Sequence, residues 1–438
     1  MKITVKEQKE NATAVIQNAL DEVFLSGGGT VEIEKGLYNI GAIRVRSHTT
    51  LYLKSGAYLK ATRVPEDYDI LEYDKIEPLC DEDTKKEEYY RPGKHQLAAG
   101  WITYPCSRWN HAIIRIFDAK NVSVIGEDGA VIDGSDCYDA LGEEFYRGPH
   151  GISLIRSENV VCSGYTIKNT GNWAHISSNS RNLSFKNIKV LGGHDGVHLQ
   201  GTDNVQIEKC EFFTGDDCVA GVDCNNVTVK NCVMNTACSA FRFGGTNTVV
   251  EGCKMYGPGI YSIRGMLSIE DKINGTTTPN TGRKNMLSVF TYYADFSFPI
   301  RNEPGNIVFK NCTCDTIDRF INYDYSGNNA YQCNRPLSSV SFDGLKLSGI
   351  KIPLFLHGDS DIPVRVQLSN SEIEFTEPVD ALIYAKNCGV VTLKNVKISG
   401  AKNTVKSWGN VAEPVCESVS GMSGGMIYTD EPWKFRVI

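Results

Sequence analysis

The chain repeats one short pattern, in which an asparagine precedes residues that alternate between apolar and polar. Clear copies begin at Asn159, Asn182, Asn204, Asn226, Asn247 and Asn306, and weaker ones at Ser339, Val366 and Val390. The first five copies start 21 to 23 residues apart. Alternation predicts β-strands, and a repeat of about 22 residues is the length of one coil of a parallel β-helix.

The repeat therefore predicts an all-β fold, a single right-handed parallel β-helix that spans residues 1–438 as one domain. A leucine-rich horseshoe has repeats of similar length, but it needs a regular leucine framework and a helical half that the sequence lacks. Six positions after the asparagines, the repeat stacks one column of core residues: Tyr165, Ile188, Cys210, Cys232, Cys253 and Cys312. Buried cysteines behave as small hydrophobic residues, so the column accounts for several of the fifteen cysteines without disulfides or zinc.

Three segments depart from the repeat. Residues 10–24 place apolar side chains at helical spacing and are predicted to form a helix that caps the solenoid; the side chains are those of Ala12, Val15, Ile16, Ala19, Leu20 and Val23. Residues 73–108 and 266–304 are predicted to be inserted loops, which in solenoids often project from the binding face. After about residue 402 the repeat fades.

Composition narrows the classes of partner. The net charge of −7 and the pI near 5.7 argue against nucleic acid and anionic membranes, because both favour a concentrated basic face. The first residues lack the apolar stretch of a signal peptide, and no segment has the apolar length of a membrane span. If Met1 is the natural start, we expect a cytoplasmic protein, although a chain from which a signal had been removed would look the same.

Candidate chemistry is concentrated in GGHDGVHLQG (192–201) and TGDDCVAG (214–221). Asp195 and Asp217 each lie 13 residues into their repeat, so they should stack on adjacent coils about 4.8 Å apart, with Asp216 beside them. Three gathered carboxylates repel one another, which raises at least one pKa. Glycosidases need one protonated and one ionised carboxyl group. Solvated turn aspartates and a calcium site are the alternatives.

These and other motifs resemble the polygalacturonase family, glycoside hydrolase family 28, over most of the chain. The motifs are NATAVIQNALDEVFLSGGGTVEIEKGLYNIG, NVSVIGEDGAVIDGSD, NTGNWAHI, HDGVH and TGDDC. The resemblance implies inverting hydrolysis of an oligo- or polysaccharide, with Asp216 as general acid and with Asp195 and Asp217 activating water. It implies no metal and no other cofactor.

The sequence departs from the family pattern at three places. Ser239 stands in place of the histidine of G-H-G, and His198 in place of the last aspartate of N-T-D-G-[IV]-D. In place of R-I-K the chain has Ser262-Ile263-Arg264, so that Arg264 stands for the lysine. In the family these positions orient the acid and hold a galacturonate carboxylate, so the resemblance does not extend to polygalacturonate specificity.

Other residues are candidates for substrate contact. His198 and Arg242 each lie 16 residues into their repeat, on one row beside the aspartates. Arg242 could pair with a uronate carboxylate or neutralise the acidic cluster. For His194 and His198 we favour substrate contact over core packing. For His175, Trp109 and Tyr325 the two roles are balanced; Trp109 lies in SRWNHAII, which resembles a bacterial branch of the family, and Tyr325 falls near a family tyrosine that lines the cleft.

We therefore expect an inverting glycoside hydrolase that acts on pectin-derived or similar uronate-containing glycans, from the end of an oligosaccharide if the inserts block an open groove. A calcium-dependent polysaccharide lyase or epimerase on the same scaffold is one alternative, and a non-catalytic glycan-binding β-helix is the other. The sugar, its linkage and the oligomeric state are not specified by the sequence.

Overall fold

The computed structural model describes residues 1–8, 10–68, 111–275, 285–295, 300–325 and 331–430. The predicted loop at 73–108 and Trp109 lie outside these residues. Within them the structure is a stack of coils whose strands pair in parallel with the same strand of the next coil. For example, β16, β17 and β18 form one coil, and β16 pairs with β13 on one side and with β19 on the other. The fold is the right-handed parallel β-helix that the repeat predicts.

The first sixteen strands, in chain order, are β1 (Lys2–Val5), β2 (Gly29–Ile33), β3 (Gly36–Ile40), β4 (Ile43–Arg44), β5 (Thr49–Leu53), β6 (Ala57–Ala61), β7 (Ala112–Phe117), β8 (Lys120–Gly126), β9 (Val131–Asp133), β10 (His150–Ile155), β11 (Glu158–Ser163), β12 (Thr166–Lys168), β13 (His175–Ser178), β14 (Arg181–Lys186), β15 (Lys189–Gly192) and β16 (Val197–Gln200). The others are β17 (Asp203–Glu208), β18 (Glu211–Thr214), β19 (Val219–Lys230), β20 (Val233–Thr236), β21 (Ser239–Glu251), β22 (Lys254–Tyr256), β23 (Met286–Tyr292), β24 (Gly305–Lys310), β25 (Thr313–Asp324), β26 (Ser339–Asp343), β27 (Lys346–Ile352), β28 (Leu354–His357), β29 (Val364–Lys386), β30 (Cys388–Ser407), β31 (Val415–Ser420) and β32 (Gly424–Tyr428).

The repeated asparagines form a ladder at the surface. Asn182 donates from Nδ2 to Oδ1 of Asn159, Asn204 to Asn182, and Asn226 to Asn204, at 2.8 to 3.0 Å. All four have φ between 56° and 59°, a left-handed conformation that asparagine tolerates better than most residues. The asparagine thus turns the chain into the next strand and links successive coils through its side chain.

The apolar positions of the repeat fill the interior. Leu183, Val205 and Val227 are stacked on consecutive coils, and all are buried. The predicted cysteine column is confirmed: the N–H groups that follow Cys232 and Cys253 donate to the carbonyl of the preceding cysteine in the column at 2.9 Å, and all its members are buried free thiols. The core is therefore built from like residues stacked on like.

The predicted amino-terminal helix is α1 (Thr13–Leu25), which packs on β1, β2, β4 and β5. Its buried face contains Ile16, Ala19, Leu20 and Val23. Val15, predicted for the same face, is 42% exposed, because it falls at the edge of the apolar stripe. Among the described residues no helix is long and apolar enough to cross a membrane.

Two predicted boundaries were wrong. The predicted loop at 266–304 contains the short helix α2 (Ile269–Asn274) and also β23, which pairs with β21 and β25 as part of a coil. The apolar run MLSVFTY of β23 lacks the preceding asparagine and was missed for that reason. The coils also continue past residue 402, because β31 and β32 pair with β30.

Candidate active site

The three aspartates lie in a turn that recurs on neighbouring coils. It joins β15 to β16 and, one coil later, β18 to β19. The pairing of these strands places Asp195 beside Asp217 and His194 beside Asp216. The backbone N–H of Asp217 donates to Oδ1 of Asp195 at 3.2 Å. The stacking of the two aspartates that the repeat predicts is confirmed.

On the next coil the same turn places Cys238 beside Asp216 and Ser239 beside Asp217. The backbone N–H of Ser239 donates to Oδ1 of Asp217 at 3.1 Å, whereas its hydroxyl donates to Oγ1 of Thr291 at 3.3 Å. The side chain that approaches the carboxylates is Cys238: its Sγ and one oxygen each of Asp216 and Asp217 lie within 4.8 Å of one another. The sequence analysis missed this thiol, because the motif comparison drew attention to Ser239.

The three carboxylates differ in access and in partners. Asp195 and Asp217 are each 1% exposed, while Asp216 is only partly buried. Oδ2 of Asp195 is 2.8 Å from Nδ1 of His198. Arg242 donates from Nε to Oδ2 of Asp217 at 2.6 Å. Asp216 is therefore the aspartate that a substrate can reach, and the other two are held beneath it.

Burial and mutual repulsion raise the carboxyl pKa values. Burial, followed by the charge of Asp217, raises the pKa of Asp216 from 3.8 to about 6, although Arg147, Arg242 and the thiol of Cys238 oppose the shift. Burial and the charges of Asp216 and Asp217 raise the pKa of Asp195 well above its ordinary value. The cluster can thus retain a proton near neutral pH.

His198 and Arg242 form one row beside the aspartates, as the repeat predicts. The imidazole of His198 is 1% exposed and stacks on Trp173, with ring centroids 3.6 Å apart. Burial holds its pKa well below the ordinary value, so His198 is a neutral partner of Asp195. Arg242 lies over the ring of Tyr293, 4.3 Å from the centroid, with 22% of its side chain exposed. Of the two, Arg242 is the one placed to meet a ligand.

A second cation reaches the cluster from the loop before β10. Arg147 donates from Nη1 to Nδ1 of His194 and to Oδ1 of Asn172, both at 3.1 Å. Its Nε is 3.1 Å from Glu143 and 2.9 Å from Glu144. Burial raises the pKa of Glu143 to about 8. His194 is 3% exposed, so it supports Arg147. The sequence analysis missed both Arg147 and Glu143, since this loop lies outside the repeat.

The row that contains His198 and Arg242 changes from buried to accessible along the solenoid. On earlier coils Ser153, Ile176, His198 and Ala220 succeed one another and are at most 2% exposed. On later coils the row continues through partly exposed residues, which are Arg242, Thr291, Asn322 and Phe355. The cleft is thus closed toward the earlier coils, and it is accessible from the aspartates toward the later ones.

Arg264, predicted to contact substrate, is 1% exposed and does not face the cleft. It donates from Nη1 to Oδ2 of Asp136 at 2.8 Å and from Nη2 to the carbonyl of Lys272 at 2.7 Å. Its backbone N–H donates to the carbonyl of Gly193 at 3.1 Å. Arg264 thus fixes its loop against the catalytic turn. Gly215 permits this contact, because a Cβ there would lie 1.9 Å from the carbonyl oxygen of Ser262.

The remaining candidates lie apart from the aspartates. His175 is fully buried and bonds through its ring nitrogens to the hydroxyl of Tyr165 at 2.9 Å and the carbonyl of Gly196 at 3.0 Å. It is a core residue that supports the turn. Tyr325 lies at the end of β25, 6.4 Å from the ring of Tyr323, and packs against the core. Trp109 is outside the described residues.

The group best placed to hold a cation consists of Asp216, Asp217 and Cys238. Calcium takes six to eight oxygen ligands, whereas this group offers two carboxylates and a thiol, and Asp217 is already paired with Arg242. The donor set therefore fits calcium poorly.

Comparison with known proteins adds an independent finding. Residues 90–239, which contain all three aspartates, match the model of "Glycosyl hydrolases family 28". A probable polygalacturonase of Vitis vinifera is 28% identical over 222 residues, which cover 48% of this chain and 40% of that protein. A probable endopolygalacturonase I of Aspergillus terreus is 24% identical over 70% of this chain and 75% of its own length. The match thus spans less than half of the grape relative.

The family 28 exopolygalacturonase of Yersinia enterocolitica has a similar structure. The TM-score is 0.57 at 15% identity, over 96% of this chain and 78% of that one, which supports the fold. The recurring turn with its stacked aspartates and the matched segment agree: the chain belongs to the glycosyl hydrolases of family 28 and is polygalacturonase-like.

Proposed function

We propose that this protein is an inverting glycoside hydrolase that removes units from the end of uronate-containing oligosaccharides. One observation carries the proposal: Asp216 is the accessible aspartate of the three, and burial beside Asp217 raises its pKa to about 6. A carboxyl group with that pKa is partly protonated at the pH of most assays, so it can donate a proton to the leaving oxygen.

The other two aspartates would activate water. Asp217 is the acceptor best supported as ionised, because Arg242 donates to it at 2.6 Å. Asp195 accepts the N–H of Asp217 and lies against His198, which fixes the orientation of the pair. Water would add to the anomeric carbon while its proton passes to this pair, and the glycosidic oxygen would leave with the proton of Asp216. No step requires a metal.

The stereochemical outcome is itself a test. Inverting enzymes usually hold acid and base roughly 6.5–9.5 Å apart, whereas oxygens of Asp216 and Asp217 approach within 4.8 Å. Asp195 lies one coil away and is the base that leaves more room for water. Proton NMR of the first-formed anomer would reveal inversion; retention would make one of the aspartates a nucleophile.

Two features support the choice of substrate. Arg242 uses Nε for Asp217, which leaves its terminal nitrogens on the partly exposed side to bind a uronate carboxylate in bidentate fashion. The buried wall of Ser153, Ile176 and His198 leaves no room for a chain to continue toward the earlier coils, so the substrate would enter by its end. The neutral His198 and the buried Arg264 add no carboxylate contact.

The test is product analysis on galacturonan and rhamnogalacturonan oligosaccharides, with and without EDTA and with Asp216→Asn as control. The proposal expects saturated products that form despite EDTA and that have one length from the earliest time points. Unsaturated products that disappear with EDTA would establish a lyase and remove Asp216 as the acid. Mixed lengths at early times would contradict action from the end.

A further inference from the structure

A thiol lies among the reacting carboxylates, where the sequence analysis expected only a serine. Cys238 is partly exposed, and its Sγ is within 4.8 Å of oxygens of both Asp216 and Asp217. Most other cysteines among the described residues are buried core residues. Cys238 is therefore distinguished by its position and not by its residue type.

The backbone holds Cys238 firmly in this position. Its N–H donates to Oγ1 of Thr236 at 2.9 Å, and Thr236 in turn donates to the carbonyl of Asp216. The carbonyl of Cys238 accepts the N–H of Leu287 at 3.0 Å. The same threonine thus fixes both the turn of the acid and the turn of the thiol, so the two side chains keep a constant relation.

We propose that Cys238 is a positioning residue for the general acid, acting through a thiol that stays protonated and donates its hydrogen bond to the carboxylate of Asp216. The inference rests on the proposed function, since it assigns Asp216 as the acid. The thiol is a weak donor without charge, so it can orient the carboxylate and still leave it able to take up a proton.

The electrostatic surroundings fit a protonated thiol. Burial and the charges of Asp217 and Asp216 raise the pKa of Cys238 well above its ordinary value, which makes it a poor nucleophile. The hydrogen bond from the thiol lowers the pKa of Asp216. The titratable and charged groups that also act on Asp216 are Asp195, Asp217, Glu143, Tyr146, Arg147 and Arg242. Cys238 is the neutral donor among them.

The first test is the pH profile of kcat for Cys238→Ala and Cys238→Ser, with the exposed Cys416→Ser as thiol control. Loss of the donor raises the pKa of Asp216, so the alkaline limb of Cys238→Ala should move up by about half a pH unit or more. The serine hydroxyl also donates, so Cys238→Ser should keep the limb near that of the wild type. Identical limbs in wild type and Cys238→Ala would overturn the proposal.

The second test needs no turnover and applies even if Cys238→Ala fails to fold. The rate of iodoacetamide labelling of Cys238 is measured at pH 8 by mass spectrometry in the wild type and in Asp216→Asn. Removing the neighbouring charge lowers the thiol pKa, so labelling should accelerate by about tenfold, with Cys416 as internal reference. Equal rates would show that Cys238 and Asp216 do not interact. A protein that hydrolyses no glycan but shows the acceleration would refute the proposed function alone.

Discussion

The guanidinium of Arg242 donates from Nε to Oδ2 of Asp217 at 2.6 Å while its plane lies over the ring of Tyr293, 4.3 Å from the centroid. This pair joins the acidic cluster to the accessible side of the cleft. It assigns Arg242 two tasks, the compensation of a buried carboxylate and the recognition of a negatively charged sugar, and these tasks can be separated experimentally.

Arg242→Ala should lower kcat/KM on uronate substrates by at least about tenfold more than on neutral glycans, because bidentate pairing with a carboxylate is lost only for the former. Arg242→Lys keeps the charge and should lie between. The measurement is the ratio of kcat/KM for matched uronate and neutral oligosaccharides. An equal loss on both would leave Arg242 with compensation of Asp217 alone.

Asp216→Asn should reduce kcat by about 10²–10⁴-fold, the usual contribution of a general acid, without loss of the fold. Asp128→Asn, at an exposed turn, is the matched control and should retain full activity. Circular dichroism would verify that both variants are folded. Substantial activity in Asp216→Asn would mean that another group protonates the leaving oxygen.

The same substitution should stabilise the protein at neutral pH. Folding raises the pKa of Asp216 from 3.8 to about 6, so the folded state binds the proton more tightly and stability falls as pH rises through that window. Above it the cost reaches at most about 3 kcal/mol. Asp216→Asn removes this cost, so its Tm should exceed that of the wild type at pH 7, and the two should converge near pH 3. A Tm difference that does not change with pH would show that Asp216 titrates normally.

Activity should follow the same carboxyl group. Because the acid must be protonated, kcat/KM is expected to be high below pH 6 and to decline as pH rises through about 6. The pH profile of kcat/KM at constant ionic strength measures this limb, and a plateau extending to pH 8 would exclude Asp216 as the titrating acid.

Arg264→Ala should act on stability and not on specificity. Its guanidinium is buried against Asp136, and removing one partner of a buried pair costs about 3–5 kcal/mol. Urea unfolding should show this loss, with the exposed Arg365→Ala as a control near wild type. At temperatures where the variant is folded, the ratio of uronate to neutral kcat/KM should equal that of the wild type. A changed ratio would restore Arg264 to the cleft.

The sequence predicted those parts of the molecule that obey the repeat. The coils, the cysteine column, the stacking of Asp195 on Asp217 and the row of His198 and Arg242 all follow from counting residues, because stacked coils place equal phases side by side. Arg147, Glu143 and Cys238 could not be found in this way. The first two belong to a loop whose course no repeat specifies, and Cys238 was hidden by comparison with a motif one residue further on.

His175 and Arg264 were assigned to substrate for a related reason. A motif gives the position of a residue along the chain but not the direction of its side chain. His175 points into the core toward Tyr165, and Arg264 turns toward Asp136. Both nevertheless contact the catalytic turn through Gly196 and Gly193, so their motifs identify residues that support the site.

The asparagine ladder has a consequence for how such a chain can change in length. Each amide donates to the one below and accepts from the one above, and each coil contacts chiefly its neighbours. Duplication or loss of a whole coil would restore every partner, whereas a single residue gained within a strand would reverse the faces of that strand. The solenoid can therefore evolve, or be engineered, in units of one coil, while the turns that carry the aspartates vary independently.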